Sequence, residues 1–205
     1  MKVGNTAIAL GIGAATATGL SLLKVNKDLV VGSTAVVIGA GLMVALRDKN
    51  DLKTKARNYE YFFNRAQDKY ELEDYEEAIL DYNKALELSP TEICLVYSMR
   101  GNAKRNLGDF DGAISDQNKA LDFDPLYADG YFNRGSAKYK MGDFAGAIED
   151  YTQVIKINPK DSDAFFNRAT IKKEIGDMRG ACKDWKKGAE LGDEDAVKLV
   201  QEHCE

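Results

Sequence analysis

The chain has 205 residues, 44% of them hydrophobic and 30% charged, which excludes a wholly disordered protein and leaves room for one ordinary domain plus an added element. Eight basic and three acidic residues fall within positions 1–58, leaving 20 basic against 30 acidic beyond them. A body this acidic argues against nucleic-acid binding, which needs clustered Lys and Arg, and only three prolines point to long uninterrupted helices.

The first half-hundred residues hold two uncharged apolar runs, VGNTAIALGIGAATATGLSLL at 3–23 and LVVGSTAVVIGAGLMVAL at 29–46, joined by KVNKD. A helix of about 20 residues spans a bilayer core of roughly 30 Å, so the pair reads as an N-terminal hydrophobic helical hairpin crossing the lipid bilayer twice. Small residues recur at four-residue spacing, as Ala7, Gly11, Ala15 and Gly19 in the first run and Ala35 with Gly39 in the second. Such stripes let membrane helices approach closely, within the hairpin or between copies in a homo-oligomer. A cleaved signal peptide is the alternative for the first run, with Ala15-Thr16-Ala17 as its processing site. A hydrophobic hairpin buried by a partner is a further one. Arg47, Lys49, Lys53, Lys55 and Arg57 follow the second run, against Lys24 and Lys27 in the connection. The positive-inside rule then places everything after residue 46 in the cytoplasm, with residues 47–57 as a basic linker.

From residue 59 onward the chain repeats. The octet KMGDFAGA at 140–147 has relatives in NLGDFDGA at 106–113, EIGDMRGA at 174–181 and a degenerate ELEDYEEA at 71–78. In this register Ala78, Ala113, Ala147 and Ala181 align, as do the small residues Ala66, Gly101, Gly135 and Ala169. Tyr82, Gln117, Tyr151 and Trp185 form a third column, and Pro90, Pro125 and Pro159 close the first three units. A period of this length marks a solenoid of helix pairs, in which each pair buries its apolar face only by stacking on its neighbours. The octet therefore reads as an interhelical turn rather than a phosphate loop. Gly142 ends one helix, Asp143 caps the next, and no P-loop Lys is present.

These columns resemble the tetratricopeptide repeat family over residues 58–192, as four units at 59–92, 94–127, 128–161 and 162–192. Glu73 in place of Gly, Gln117 in place of an aromatic, and Gly192 without a following Pro are the departures. The resemblance implies an all-α, right-handed α-solenoid of four helix pairs, with residues 193–205 as a solvating C-terminal capping helix. It also implies a concave groove, lined by the first helix of each pair, that takes a segment of a protein partner. The groove positions carried over are Phe63, Asn64 and Gln67 in unit one, and Met99 and Asn102 in unit two. Units three and four add Phe132, Asn133, Ser136, Phe166, Asn167 and Thr170. An amide both donates to and accepts from a peptide backbone, and the phenylalanines supply apolar contact. Family members that bind acidic heat-shock chaperone tails use a clamp of Lys, Asn, Asn, Lys and Arg. The matching positions hold Phe63, Gln67, Met99, Asp129 and Asn133 in one register, or Ser98, Asn102, Asn133, Asp163 and Asn167 in the next. Every cation is missing, which argues against such a tail as the partner.

Nothing points to catalysis, a metal or a cofactor. The one histidine, His203, lies near the end of the chain, and no metalloprotease or nucleophile motif occurs. The acid pairs Glu76-Glu77 and Glu149-Asp150 read as solvated helix faces. Cys94, Cys182 and Cys204 lack metal-ligand spacing and suggest reduced thiols, although a last helix folding back would bring Cys182 and Cys204 together. The sequence thus points to a membrane-anchored, non-enzymatic scaffold. The alternative is an oligomeric structural membrane protein with its repeats as a peripheral ring.

Overall fold

A computed structural model describes residues 52–88 and 93–204. The two apolar runs, their small-residue stripes (Ala7, Gly11, Ala15, Gly19, Ala35 and Gly39) and Pro90 lie outside the described residues. The described chain forms nine α-helices and no strand: α1 (52–71), α2 (Tyr75–Leu88), α3 (Ile93–Asn106), α4 (Phe110–Phe123), α5 (Ala128–Lys140), α6 (Phe144–Ile157), α7 (Ser162–Glu174), α8 (Met178–Glu190) and α9 (Glu194–His203). No helix among them is long and apolar enough to cross a membrane. Helix α1 starts well ahead of residue 59 and runs through Lys53, Lys55 and Arg57. Its stretch has no Gly or Pro to stop it, and its start carries the good helix formers Leu52, Lys53, Lys55, Ala56 and Arg57.

Helices α2 to α9 pack on one another in chain order, and α3 also touches α5, so the first helices of successive units lie side by side. Each pair closes on a small-residue contact. Ala66, Ala78, Ala147, Ala169 and Ala181 have no exposed surface. A Cβ on Gly135 would stand 3.2 Å from Cβ of Asp150, and one on Gly101 would stand 2.8 Å from Nε2 of Gln117. The column of large side chains fills the space beside these contacts, with Tyr82, Tyr151 and Trp185 each buried in its own cluster. Each cluster draws on more than one unit: Val96 of α3 joins Tyr59, Phe63 and Tyr82, and Ala164 and Ile171 of α7 join Ala147, Tyr151 and Val154. That is the solenoid logic of burial by stacking.

The turn inside each pair has one geometry. After α3 the amide of Asp109 donates to the carbonyl of Lys104 and that of Gly108 to the carbonyl of Arg105, each at 2.9 Å. Gly108 has φ 83°, the left-handed residue such a helix ending requires. Asp109 then caps α4 by accepting from the amide of Gly112 at 2.9 Å. Gly142 with Asp143 and Gly176 with Asp177 repeat this arrangement. Gly192 with Asp193 repeats it at the start of α9, where Asp193 accepts from the amides of Asp195 and Ala196. In the first pair the same hydrogen bonds form around Glu73, which is held at φ 61°.

Two sequence expectations are corrected here. The Glu149-Asp150 pair is not a solvated face, because Asp150 is buried, as are Asp81, Asp116 and Asp184 at the same register. Each is held by an Arg and a Lys of the preceding helix. Arg134 donates to both oxygens of Asp150, at 3.0 and 2.6 Å, and Lys138 lies 2.9 Å away. Arg100 with Lys104 holds Asp116, Arg168 with Lys172 holds Asp184, and Arg65 with Lys69 holds Asp81. The guanidinium also reaches back one unit: Arg100 to Asn83, Arg134 to Asn118 and Arg168 to Thr152. The buried carboxylates thus tie the helices within a pair, and the arginines that they hold tie one pair to the next. The second correction concerns the thiols. Cys182 on α8 and Cys204 beyond α9 form a disulfide with Cα atoms 5.5 Å apart, while Cys94 is free. The cause is the fold-back of α9, whose Ala196, Leu199 and Val200 pack over Trp185 and Ala181.

Candidate protein-binding groove

The carried-over groove positions lie on the first helices of the units, and polar contacts link those helices into one strip. Asn106 donates to the Tyr70 hydroxyl at 2.9 Å, joining α3 to α1. Arg105 donates to Oγ of Ser136 at 3.2 Å and Asn133 to Oγ of Ser98 at 3.5 Å, joining α3 to α5. The Tyr139 hydroxyl donates to Glu174, joining α5 to α7. At the end of the strip Lys173 lies 3.2 Å from Nε2 of His203, whose ring stacks on Trp185.

Phe132, Phe166 and Asn167 line one open cleft of about 480 Å³ together with Ser162 and Asp163 of α7 and Gly192, Asp193 and Asp195 at the start of α9. Phe132 also sets its ring edge-on to Tyr151, with centroids 5.3 Å apart, so part of its surface belongs to the core. Asn167 and Thr170 share a second, smaller crevice with Tyr139, Tyr151 and Ile171. The Thr170 hydroxyl donates to the Phe166 carbonyl at 3.0 Å, whereas the half-buried Asn167 amide has no hydrogen-bond partner among the described residues. In unit one the positions separate: Phe63 is buried against Tyr59 and Tyr82, while Asn64 is exposed and Gln67 half-buried. Met99 packs on that same first cluster.

One buried polar residue beneath the strip was not singled out for binding from sequence. Gln117 is 1% exposed, donates to the Ser98 carbonyl at 3.0 Å and to Oδ1 of Asn102 at 3.4 Å, and leaves Oε1 without a hydrogen-bond partner among the described residues. The signal was its departure from the aromatic column. Where Tyr82 and Tyr151 raise hydroxyls, Gln117 puts a polar amide under Asn102. Burial pushes the Tyr151 hydroxyl up to about 12, partly offset by a hydrogen bond with Ser136. Among the described residues no group of three or more His, Cys, Asp or Glu could hold a metal ion.

The fold is an all-α solenoid of paired helices. The comparisons name its repeats: residues 59–92 and 128–161 match the tetratricopeptide repeat profile, and residues 101–142 match a second profile of the same repeat. No curated protein sequence matches the chain significantly. Among solved structures, a crystal structure of MamA superposes with a TM-score of 0.63 at 26% identity, covering 73% of this chain and 86% of that one. The first tetratricopeptide domain of Spaghetti (RPAP3), bound to the HSP90 peptide SRMEEVD, gives 0.53 at 25% identity, covering 56% of this chain and 92% of that one. The Arabidopsis OM64 tetratricopeptide domain gives 0.56 at 21% identity, over 58% and 98% of the two chains, and supports the fold alone.

Proposed function

We propose that the chain is a non-enzymatic scaffold whose first-helix strip binds a segment of a protein partner, and that the apolar runs at 3–23 and 29–46 tether it to a membrane with the repeats on the cytoplasmic side. The observation that carries the binding reading is the cleft where Phe132 and Phe166 meet the unpartnered amide of Asn167. Two phenylalanines beside that amide, in a cleft otherwise lined by polar residues, suit an extended peptide, whose backbone needs a donor and an acceptor while its side chains seek apolar contact. The Spaghetti domain, a similar fold solved with a peptide, is consistent with this use. The membrane part rests on the two uncharged runs and the basic residues after them. Tethering raises the local concentration of the groove at the bilayer, so modest affinity suffices to recruit a partner there.

Proximity capture in intact membranes tests the groove. The Asn133→Ala plus Asn167→Ala variant should lose partners that the unmodified chain labels, and an unchanged partner set overturns the groove reading. Alkaline carbonate washing tests the tether separately. The chain should stay with the membrane pellet, and its release would refute the tether while leaving the groove reading intact.

A further inference from the structure

Resting on the cytoplasmic placement proposed above, where thiols meet reductants, we infer that Cys182 and Cys204 form a reversible thiol–disulfide site that latches α9 onto the last helix pair. Helix α9 is held at its two ends by different means. At its start the amide of Asp193 donates to the Gly188 carbonyl at 3.1 Å, and the Asp193 carboxylate caps the helix through the amide of Ala196. At its far end the Cys182–Cys204 bond closes just beyond His203. Little is buried between those points. Ala196 alone is fully covered, Leu199 and Val200 only partly, and Val197 is exposed. Ten residues are also too few for a helix to persist unaided in water.

The helix pairs do not depend on the bond in this way. Helix α9 begins as α7 does, with a capping Asp three residues before a buried Ala, at Asp161 and Ala164 and again at Asp193 and Ala196. The matching then ends. Arg168, which holds the buried Asp184, falls opposite Val200, so α9 brings no guanidinium to a buried aspartate. Its docking leaves two things to be released. His203 stacks on Trp185, which is 1% exposed, and the start of α9 supplies Gly192, Asp193 and Asp195 to the cleft. Opening the bond therefore uncovers Trp185 and loosens one side of the cleft, while the four buried ion-pair sets keep the helix pairs closed.

Both cysteines are half-buried rather than sealed, which leaves the bond open to exchange. The thiolate of a protein dithiol attacks one sulfur and forms a mixed disulfide, and the other cysteine leaves as a thiolate that takes up a proton. The second thiol of the reductant then displaces the first cysteine. Two electrons pass to the chain, which ends with two thiols, and the dithiol ends as a disulfide. Glutathione disulfide reverses the step by the same exchange and leaves as two glutathione thiols.

Trp185 is the only tryptophan of the chain, so its fluorescence reads the latch directly. The full chain in mild detergent is measured oxidised, after reduction by a protein dithiol such as thioredoxin in a reducing glutathione buffer, and after reoxidation with glutathione disulfide. Cys204→Ser is carried alongside. Reduction should expose two thiols besides Cys94 to alkylation and raise acrylamide quenching of Trp185 about threefold or more, reversibly. Hydrogen exchange should quicken in 194–203 while circular dichroism retains the helices of the four pairs. Cys204→Ser should show the reduced values in either buffer. A bond that stays closed under these reductants, quenching that is unchanged when it opens, or collapse of the whole helical fold on reduction overturns the latch and leaves a fixed staple. None of these readouts uses a partner or a membrane, so they are separable from the tests of the groove and of the tether.

Discussion

At the scale of single residues, the buried aspartates separate what charge does in this domain from what it does on an ordinary helix surface. Asp81 is held below the usual carboxylate range, chiefly by the Arg65 guanidinium and also by Lys69, against the opposing effect of burial. Its folded pKa is thus lower than its unfolded value of about 3.9, so its contribution is complete above that pH and is lost as pH falls through the folded pKa. Denaturant midpoints measured from pH 6 to about pH 3 should show the unmodified chain converging on Asp81→Asn as the pH drops. Parallel curves would exclude the linkage. Arg134→Ala strips Asp150 of its bidentate partner and leaves a buried carboxylate with Lys138 alone. The expected loss is about 2–4 kcal/mol in urea unfolding, well beyond a surface substitution.

At the scale of elements, the turns and the cap carry the predictions. The four left-handed glycines mark positions any side chain strains, and Glu73 fills the fifth such position at φ 61°. Glu73→Gly should stabilise the first pair by about 1 kcal/mol, measured by urea unfolding, because the left-handed conformation penalises a residue with a Cβ. Helix α9 has one fully buried residue, Ala196, and is closed by a disulfide across 22 residues of sequence. Reducing it, or replacing Cys204 with Ser, should lower stability by about 2–3 kcal/mol. Hydrogen exchange should rise first in 194–203, and uniform exchange across all helices would rule out a local clasp.

At the scale of the whole molecule, the ladder of buried ion pairs and the strip of groove positions use different residues, although Phe63, Met99 and Phe132 of the strip also pack into the core. Asn167 makes no hydrogen bond among the described residues, so Asn167→Ala should change stability by less than about 0.5 kcal/mol while affecting partner capture. A large loss of stability would mean that Asn167 is scaffold. The cap links the two roles, because α9 covers Trp185 with Leu199 and Val200 and brings Asp193 and Asp195 to the cleft.

The sequence by itself determined the repeat, because each period must place small residues where helices touch, a large one beside them, and Gly-Asp where the chain turns. Ala147, Gly142, Asp143 and Tyr151 could be assigned those roles from the pattern, and Gln117 stood out as a departure from it. What only the tertiary structure decided depends on partners 12 or more residues away. Asp150 beside Glu149 looks like any exposed acid until Arg134 and Lys138 are brought over it. Phe63 and Phe132 share a register position, yet Phe63 is buried against Tyr82 while Phe132 also lines a cleft. Cys182 and Cys204 meet only because α9 turns back across the last pair. Local periodicity specifies where a side chain sits on its own helix, but burial and charge pairing depend on the helix packed against it.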